Sequence, residues 1–443
     1  MPVSPFDSKL FAALFSDPDM AALFSDEAAI AAMLKVEVAL AKVQADIGVI
    51  PQTAYRQIAD GLSDFAPEPA ELSQDTADFG VPLPALLKAA RTAIGKQGRH
   101  FLHWGATSQD IVDTALVLRL EKAAALLEDR IGSLLNVLDA LARAHARTLM
   151  AARARWQQAI PTTLGYKAEL WAEPLRRHLE RLSQLKPRLL VLSLAGAAGT
   201  LAAMGAKGPE VARQLAAELN LGLPRTPWHS QRDGMAELAG WLSMLSGSLG
   251  KIGQDLLLMA QSEVAEVRFS SGGGSSTMPQ KSNPIGAEVL VTLARLNAGL
   301  LGLVHQAQIQ EHERGGSGWM LEWLTLPQMV MAAASALNHA VRLFATIEVD
   351  KQRMQANLDQ SNGQILAEAA VFALSAHMPK PEAQALVKRA CIESRQSGAH
   401  VVDILAQAVD YPIDWQKLKD PESYTGMAGR KAVDEARWPT GSG

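Results

Sequence analysis

Leu116, Leu120, Leu127, Ile131, Leu134, Leu138 and Leu141 recur at spacings of three, four and seven residues. Met235, Leu238, Leu242, Leu245, Leu249, Ile252, Leu256 and Met259 alternate threes and fours without a break. Side chains at such spacings share one face of an α-helix, so each stretch predicts a long helix packed in a bundle. Proline placement agrees. None occurs between Pro84 and Pro161, between Pro227 and Pro279, or between Pro284 and Pro327, and a proline inside a helix costs about 3 kcal/mol. A helix from Asp233 to about Phe269 would be roughly 55 Å long. That exceeds what one small domain covers, so a neighbouring subunit is expected to cover part of its stripe.

Strand signals are weak. Aromatic residues are 5% of the chain, and no series of alternating β-branched segments occurs. The chain therefore reads as all-α. Residues 1–110 hold shorter helical pieces and turns such as Ala66-Pro67-Glu68-Pro69. Residues 111–355 hold the long helices. Residues 356–443 hold short helices and a terminus, Pro439 to Gly443, that is expected to be disordered. These three segments are the expected domains, and 443 residues suffice for a large core.

Charge narrows the partners. Lys plus Arg is 42 and Asp plus Glu is 46, a net charge of −4. With no basic excess, neither nucleic acid nor an anionic membrane is an expected partner. A single cysteine, Cys391, excludes an internal disulfide and a thiolate metal cluster. No apolar run is read as reaching the roughly 18 residues of a membrane span. The stretch Met1 to Asp17 lacks the charged-then-apolar order of a secretory signal, so the expected compartment is the cytoplasm.

The sharpest local feature is the run from Ser270 to Pro284, SSGGGSSTMPQKSNP. A Gly/Ser run between two helical segments is a loop, and its bland reading is a linker. A linker does not need Lys281 and Asn283 beside a proline-fixed turn. Glycines let backbone amides approach an anion, and Ser, Lys and Asn add donors. The spacing is not that of a phosphate loop. The residues alone point to an anion-binding loop.

Gly274 to Pro284 closely resembles the signature of the fumarase/aspartase superfamily, GSSxMPxKxNP. His103-Trp104-Gly105-Ala106-Thr107-Ser108-Gln109-Asp110 is similar to that superfamily's first motif, and Gln157 to Gly165, QQAIPTTLG, to its second. The three fall in the required order across nearly the whole chain. The resemblance implies a three-domain all-α fold with a central bundle of long helices. It also implies a homotetramer whose active sites each gather the motifs from three subunits. It implies removal of a proton α to a carboxylate, with Ser275 as the base. A free serine is a weak base, so the loop must close over substrate to stabilise the developing charge. Thr107, Ser108, Gln157, Thr162, Lys281 and Asn283 are carried over as substrate-binding residues. Thr107 and Ser108 have a second reading, as the N-cap of the following helix, and both can hold because a helix N-terminus favours anions.

Departures from the pattern narrow the resemblance. Arg155 stands where the second motif carries its acid–base His. Thr76-Ala77-Asp78-Phe79 lacks the His of the amine lyases, adenylosuccinate lyase among them. Trp228 replaces a Gln before Gln231-Arg232-Asp233, and Glu322-Trp323 replaces Glu-Arg. His103 to Asp110, Trp156 to Ala159 and Pro227-Trp228-His229-Ser230-Gln231-Arg232-Asp233 together resemble the lactone-closing cycloisomerase branch. There the substrate's own carboxylate adds across a double bond. Run in reverse, the leaving group is a carboxylate with a pKa near about 4, which needs no general acid. The implied substrate is a small tricarboxylate, with no cofactor and no metal. Arginine's planar fork suits carboxylates, so Arg155 and Arg314 join Lys281 as expected ligands, with His229 either acting as an acid or orienting substrate. The alternative for Arg155 is a place in a surface basic cluster with Arg147, Arg153 and Lys167. Arg232 is expected to make a buried pair with Asp233 or Glu237. His103 and Glu322 are expected to support the site without touching substrate. A helical scaffold without catalysis is disfavoured, since it would gain nothing from a Gly-rich loop.

Overall fold

The computed structural model describes residues 4–270, 273–274, 278 and 281–429. Ser275 and the Pro439–Gly443 end both lie outside them. The architecture is helical. The elements that matter for the site are α1 (Asp26–Asp46), α2 (Ser108–Ala144), α3 (Leu164–Leu189), α4 (Asp233–Met259), α5 (Ile285–Ala307), α6 (Ser317–Ala345), α7 (Ala367–Ser375) and α8 (Lys380–Ser397). The chain forms two compact units. One comprises Met1–Ile131, Arg177–Gly250 and Val289–Asn338; the other comprises Gly132–Arg176, Lys251–Glu288 and His339–Gly443.

Both hydrophobic stripes become core. Every member of the α4 stripe, from Met235 to Met259, is buried, and so are Leu116, Leu120, Leu127, Ile131, Leu134 and Leu138 of α2; Leu141 is half-buried. The helix expected to reach Phe269 stops ten residues earlier. Ala265 adopts φ +50°, its amide returns to Gln261 O, and the Glu266 amide returns to Met259 O at 2.9 Å. The chain then enters a short strand at Val267–Phe269. At 1.5 Å per residue, α4 is about 40 Å long. Its stripe is buried within this chain, so its length supplies no reason for a neighbouring subunit. Exposed apolar side chains include Leu296 and Leu303 of α5, Met320 and Leu324 of α6, and Met244, which lies on α4 but off its stripe.

In the first unit, α4, α5 and α6 meet at small and polar residues. Asn297 Nδ2 donates to Ser246 Oγ at 2.7 Å and to Met329 O at 3.1 Å. One turn along, a Cβ on Gly250 would sit 2.6 Å from Ala294 Cβ, so only glycine admits this approach. By length and composition α5 is able to cross a membrane, which amends the reading that no run is long enough; 33% of its most apolar window is buried.

The second unit carries the exceptions to the all-α reading. Strand β1 (Leu149–Ala154) pairs antiparallel with β2 (Gln157–Thr163), Leu149 opposite Thr163 and Ala154 opposite Gln157. Strand β3 (Val267–Phe269) pairs with β6 (Ile347–Val349), and β4 (Gly273–Gly274) with β5 (Ser282–Asn283). Ala151 of the first hairpin packs with Leu358, Ile365, Leu366 and Val402. A second cluster, with Leu374, Val387 and Leu405 at its centre, holds α7 against α8.

Leu245 of α4 is fully buried. Leu245→Ala removes its methyl groups and leaves a cavity, so it is expected to cost about 2–5 kcal/mol of stability. A thermal melt coincident with that of the parent protein would contradict this packing.

Candidate active site

The first motif forms a loop that ends at the start of α2. Two residues in it need positive φ, His103 at +65° and Gly105 at +73°. At Gly105 a Cβ would also meet Met204 Cγ at 2.8 Å. The loop is held to α1 by two buried groups. Gln44 Nε2 donates to Trp104 O at 2.7 Å, and Glu37 Oε1 lies 2.6 Å from His103 Nδ1. Burial works against a charged His103 ring, but the Glu37 carboxylate outweighs it and raises the ring's pKa above the ordinary value.

Thr107 caps α2 in a reciprocal arrangement. The Asp110 amide donates to Thr107 O at 3.0 Å, and the Thr107 amide donates to Asp110 Oδ2 at 2.9 Å. An acid at the third helical position reaching back to the N-cap amide is one half of a capping box; the Asp110 amide meets the Thr107 carbonyl and not its hydroxyl, so the other half is absent. Asp110 does more than cap. It is fully buried and also accepts from the amides of Ala195 (2.8 Å) and Gly196 (3.0 Å) and from His229 Nε2 (2.8 Å). One carboxylate thus joins the first-motif loop, the 195–196 turn and the His229 segment. His229 is buried, and its Nδ1 has no hydrogen-bond partner among the described residues. Arg314 donates from Nη1 to Thr107 Oγ1, which leaves the rest of an exposed guanidinium beside the cap of α2.

A second buried acid stands one turn along. Asp113 receives Arg232 Nη1 at 2.7 Å, Gln109 Nε2 at 3.1 Å and Trp319 Nε1 at 2.9 Å. Arg232 also donates from Nε to Glu322 Oε1 at 2.8 Å and lies 4.7 Å over the Trp228 ring. The expected buried role of Arg232 holds, but its partners are Asp113 and Glu322, not Asp233 or Glu237. Glu237 is taken by Arg188 at 2.9 Å. Burial raises the Glu322 carboxyl above its ordinary range; Arg232 draws it back, and the Asp113 charge adds to the rise. The first unit therefore brings together His103, Thr107, Ser108, His229, Arg314 and Glu322.

The second unit holds the others. Arg155 and Trp156 form the two-residue turn between β1 and β2, with φ of +48° and +71°. That pattern is a type I′ turn, ordinarily built from Asn and Gly. It turns both side chains outward, and Trp156 is 84% exposed. The three other members of the basic cluster have acid partners: Arg147 Nη2 with Glu422 at 2.7 Å, Arg153 Nη2 with Glu266 at 2.7 Å, and Lys167 with Asp255 at 3.3 Å. Arg155 has none among the described residues. Gln157 is exposed and Thr162 half-buried on the same hairpin, and Arg155 and Thr162 line a cavity of about 1090 Å³. On the signature loop, Lys281 is exposed and Asn283 half-buried. Asn283 pairs with Gly273, and the Lys281 amide donates to Met278 O at 2.9 Å. They stand directly before the N-terminus of α5, whose partial positive charge favours an anion.

Asp110 and Asp113 were missed as individual residues. Their spacing of three on a helix that begins at Ser108 was the available signal, because it places both on one face.

A family model described as lyase matches residues 15–297. The chain is 40% identical to 3-carboxy-cis,cis-muconate cycloisomerase of Pseudomonas aeruginosa, across 95% of this chain and 94% of that protein. It is 34% identical to N-acetyl-S-(2-succino)cysteine lyase of Dickeya dadantii, across 97% of this chain and 96% of that one. The crystal structure of 3-carboxy-cis,cis-muconate lactonizing enzyme from Pseudomonas putida matches with a TM-score of 0.88 at 38% identity, covering 95% of this chain and 97% of that one.

The protonated His103 ring is favoured in the folded protein. Its stabilisation is fully present below the unfolded value near about 6.5 and is lost as pH rises through the higher folded value. His103→Gln is therefore expected to lower the melting temperature more at pH 6 than at pH 9. Equal penalties at the two pH values would rule out the charged pair with Glu37.

Proposed function

Since the chain belongs to this lyase family, within the fumarase/aspartase superfamily, we propose that it closes 3-carboxy-cis,cis-muconate to carboxymuconolactone. The observation that carries this reading is the likeness to the Pseudomonas aeruginosa cycloisomerase over 95% of the chain, taken with arginine at the turn where other branches place their acid–base histidine. A guanidinium offers five donors in a planar fork and no acceptor, which suits Arg155 to binding an anion.

In the lactonising direction a carboxylate oxygen of the substrate bonds to one carbon of a double bond. The π electrons move to the neighbouring carbon, which lies α to another carboxylate, and give an aci-carboxylate dianion. The Ser275 hydroxyl then delivers a proton to that carbon, and its oxygen regains one from solvent, the one proton the reaction takes up. The nucleophile is part of the substrate, so the protein's main work is to fold the diene into a reactive geometry and hold its charge. Thr107, Ser108 and Arg314 at the cap of α2, with His229 behind them, form one set of groups for this work. Arg155, Gln157 and Thr162 on the hairpin form another, and Lys281 and Asn283 before α5 a third. A preorganised donor aimed at developing charge contributes about 3 kcal/mol. His103 and Glu322 hold these groups without touching substrate. We also propose that the chain works as a homotetramer, which the exposed apolar residues of α5 and α6 support.

Mixing the protein with 3-carboxy-cis,cis-muconate is expected to bleach the ultraviolet diene band, while adenylosuccinate and N-acetyl-S-(2-succino)cysteine remain unchanged. A persistent diene band with thiol released from the succinocysteine would replace this reading with thiol elimination. Ser275→Ala is expected to lower kcat by about 10²–10⁴-fold, and turnover at the parent rate would remove Ser275 as the proton carrier. Arg155→Ala should raise KM about tenfold or more with little change in melting temperature; unchanged kinetics would remove Arg155 as a ligand. Light scattering should give four times the chain's mass.

A further inference from the structure

The cavity of about 1090 Å³ in the second unit holds more positive charge than its structural pairs require. Arg153, Arg155, Lys167 and Lys251 line it, against Asp255 and Glu368. Glu266 neutralises Arg153 through two bonds of 2.7 and 3.0 Å. Asp255 carries a heavier load. Its Oδ2 alone meets Lys167 at 3.3 Å, Trp171 Nε1 at 2.8 Å and the Lys251 ammonium. Two lysines therefore share one carboxylate oxygen, and Arg155 has no acid at all among the described residues. Glu368 accepts a hydrogen bond from Tyr424 at 3.1 Å.

Lys167 sits in an unfavourable place for a cation. It stands in the first turn of α3, where the helix dipole repels positive charge. Three quarters of its side chain is covered. Burial first, and the neighbouring Lys251 and Arg153 charges after it, hold its pKa below the ordinary lysine value despite Asp255. An anion placed beside Lys167 would relieve all three. The space is ample: cavities of about 300–1,000 Å³ take small organic ligands. Thr162, at the end of β2, adds a hydroxyl, and Trp156 and Leu170 add apolar wall.

We propose that Lys167 binds a carboxylate of a small polycarboxylate in this cavity, as a substrate-binding residue beyond the three motifs. The inference rests on the lactonising reading for the identity of the natural ligand, but not for the binding itself. The probe is accordingly an unreactive one, propane-1,2,3-tricarboxylate, titrated calorimetrically into the full-length protein. Lys167→Met is expected to weaken its binding about tenfold to a hundredfold, the loss of one charged hydrogen bond, and Lys167→Arg to restore it to within about threefold. Steady-state assays should show KM raised by a similar factor in Lys167→Met with kcat within about threefold, and again restored in Lys167→Arg. Equal binding to the parent protein and Lys167→Met, no binding to the parent, or failure of Lys167→Arg to restore it would each overturn the proposal. So would inorganic phosphate binding as tightly as the tricarboxylate. Tricarboxylate binding that depends on Lys167 in a protein that leaves the muconate untouched would uphold the site and sink the lactonising reading. Normal turnover with no Lys167 dependence would do the reverse.

Discussion

Two carboxylates in the first two turns of α2, Asp110 and Asp113, are fully buried. An ionised carboxylate is tolerated in such a place only when it is saturated with donors. Asp110 has three amides and an imidazole; Asp113 has a guanidinium, an amide side chain and an indole. Thr107 and Gln109 are local, but the other donors come from the 195–196 turn, the 229–232 segment and the start of α6, so satisfying the two acids fixes where those parts lie. The cap of α2, the His229 segment and the start of α6 all take their places from this requirement. Removing one partner of a buried charge pair costs about 3–5 kcal/mol, while the pair itself adds little net stability. The network therefore serves position more than stability.

A different constraint shapes the hairpin. Left-handed backbone at a residue other than glycine costs about 1–3 kcal/mol, and Arg155 and Trp156 both adopt it. The turn is maintained because its flanks are pinned. Arg153 is locked to Glu266, Gln158 Nε2 donates to Asn357 O at 2.9 Å, and Asn357 Nδ2 returns to Glu266 Oε1 at 3.0 Å. The turn places a cation that has no acid partner among the described residues, and an exposed indole, in the lining of a cavity.

Much of the fold was legible in the chain. Helical periodicity identified the buried faces of α2 and α4 residue by residue, because the period of 3.6 is a property of the backbone alone. Where α4 ends was not legible. Nothing in Ala260 to Ala265 is a strong helix breaker, and the helix stops because β3 gains a partner, β6, some eighty residues away. The covering of the α4 stripe was likewise misjudged, since a stripe reveals that it must be buried and is silent about what buries it.

The candidate site divides in the same way. The chemistries present were readable along the chain: a Gly/Ser loop ending in Lys and Asn, a capped helix start, an arginine in place of a histidine. These follow from side-chain types and short spacings, which a linear reading captures in full. It took the folded chain to show that Arg232 answers to Asp113 and Glu322, that Asp110 gathers four donors, and that Lys167 shares its acid with Lys251. Charge partners are set by distance and burial, and residues 90 or 119 positions apart become neighbours only when the chain has closed around them.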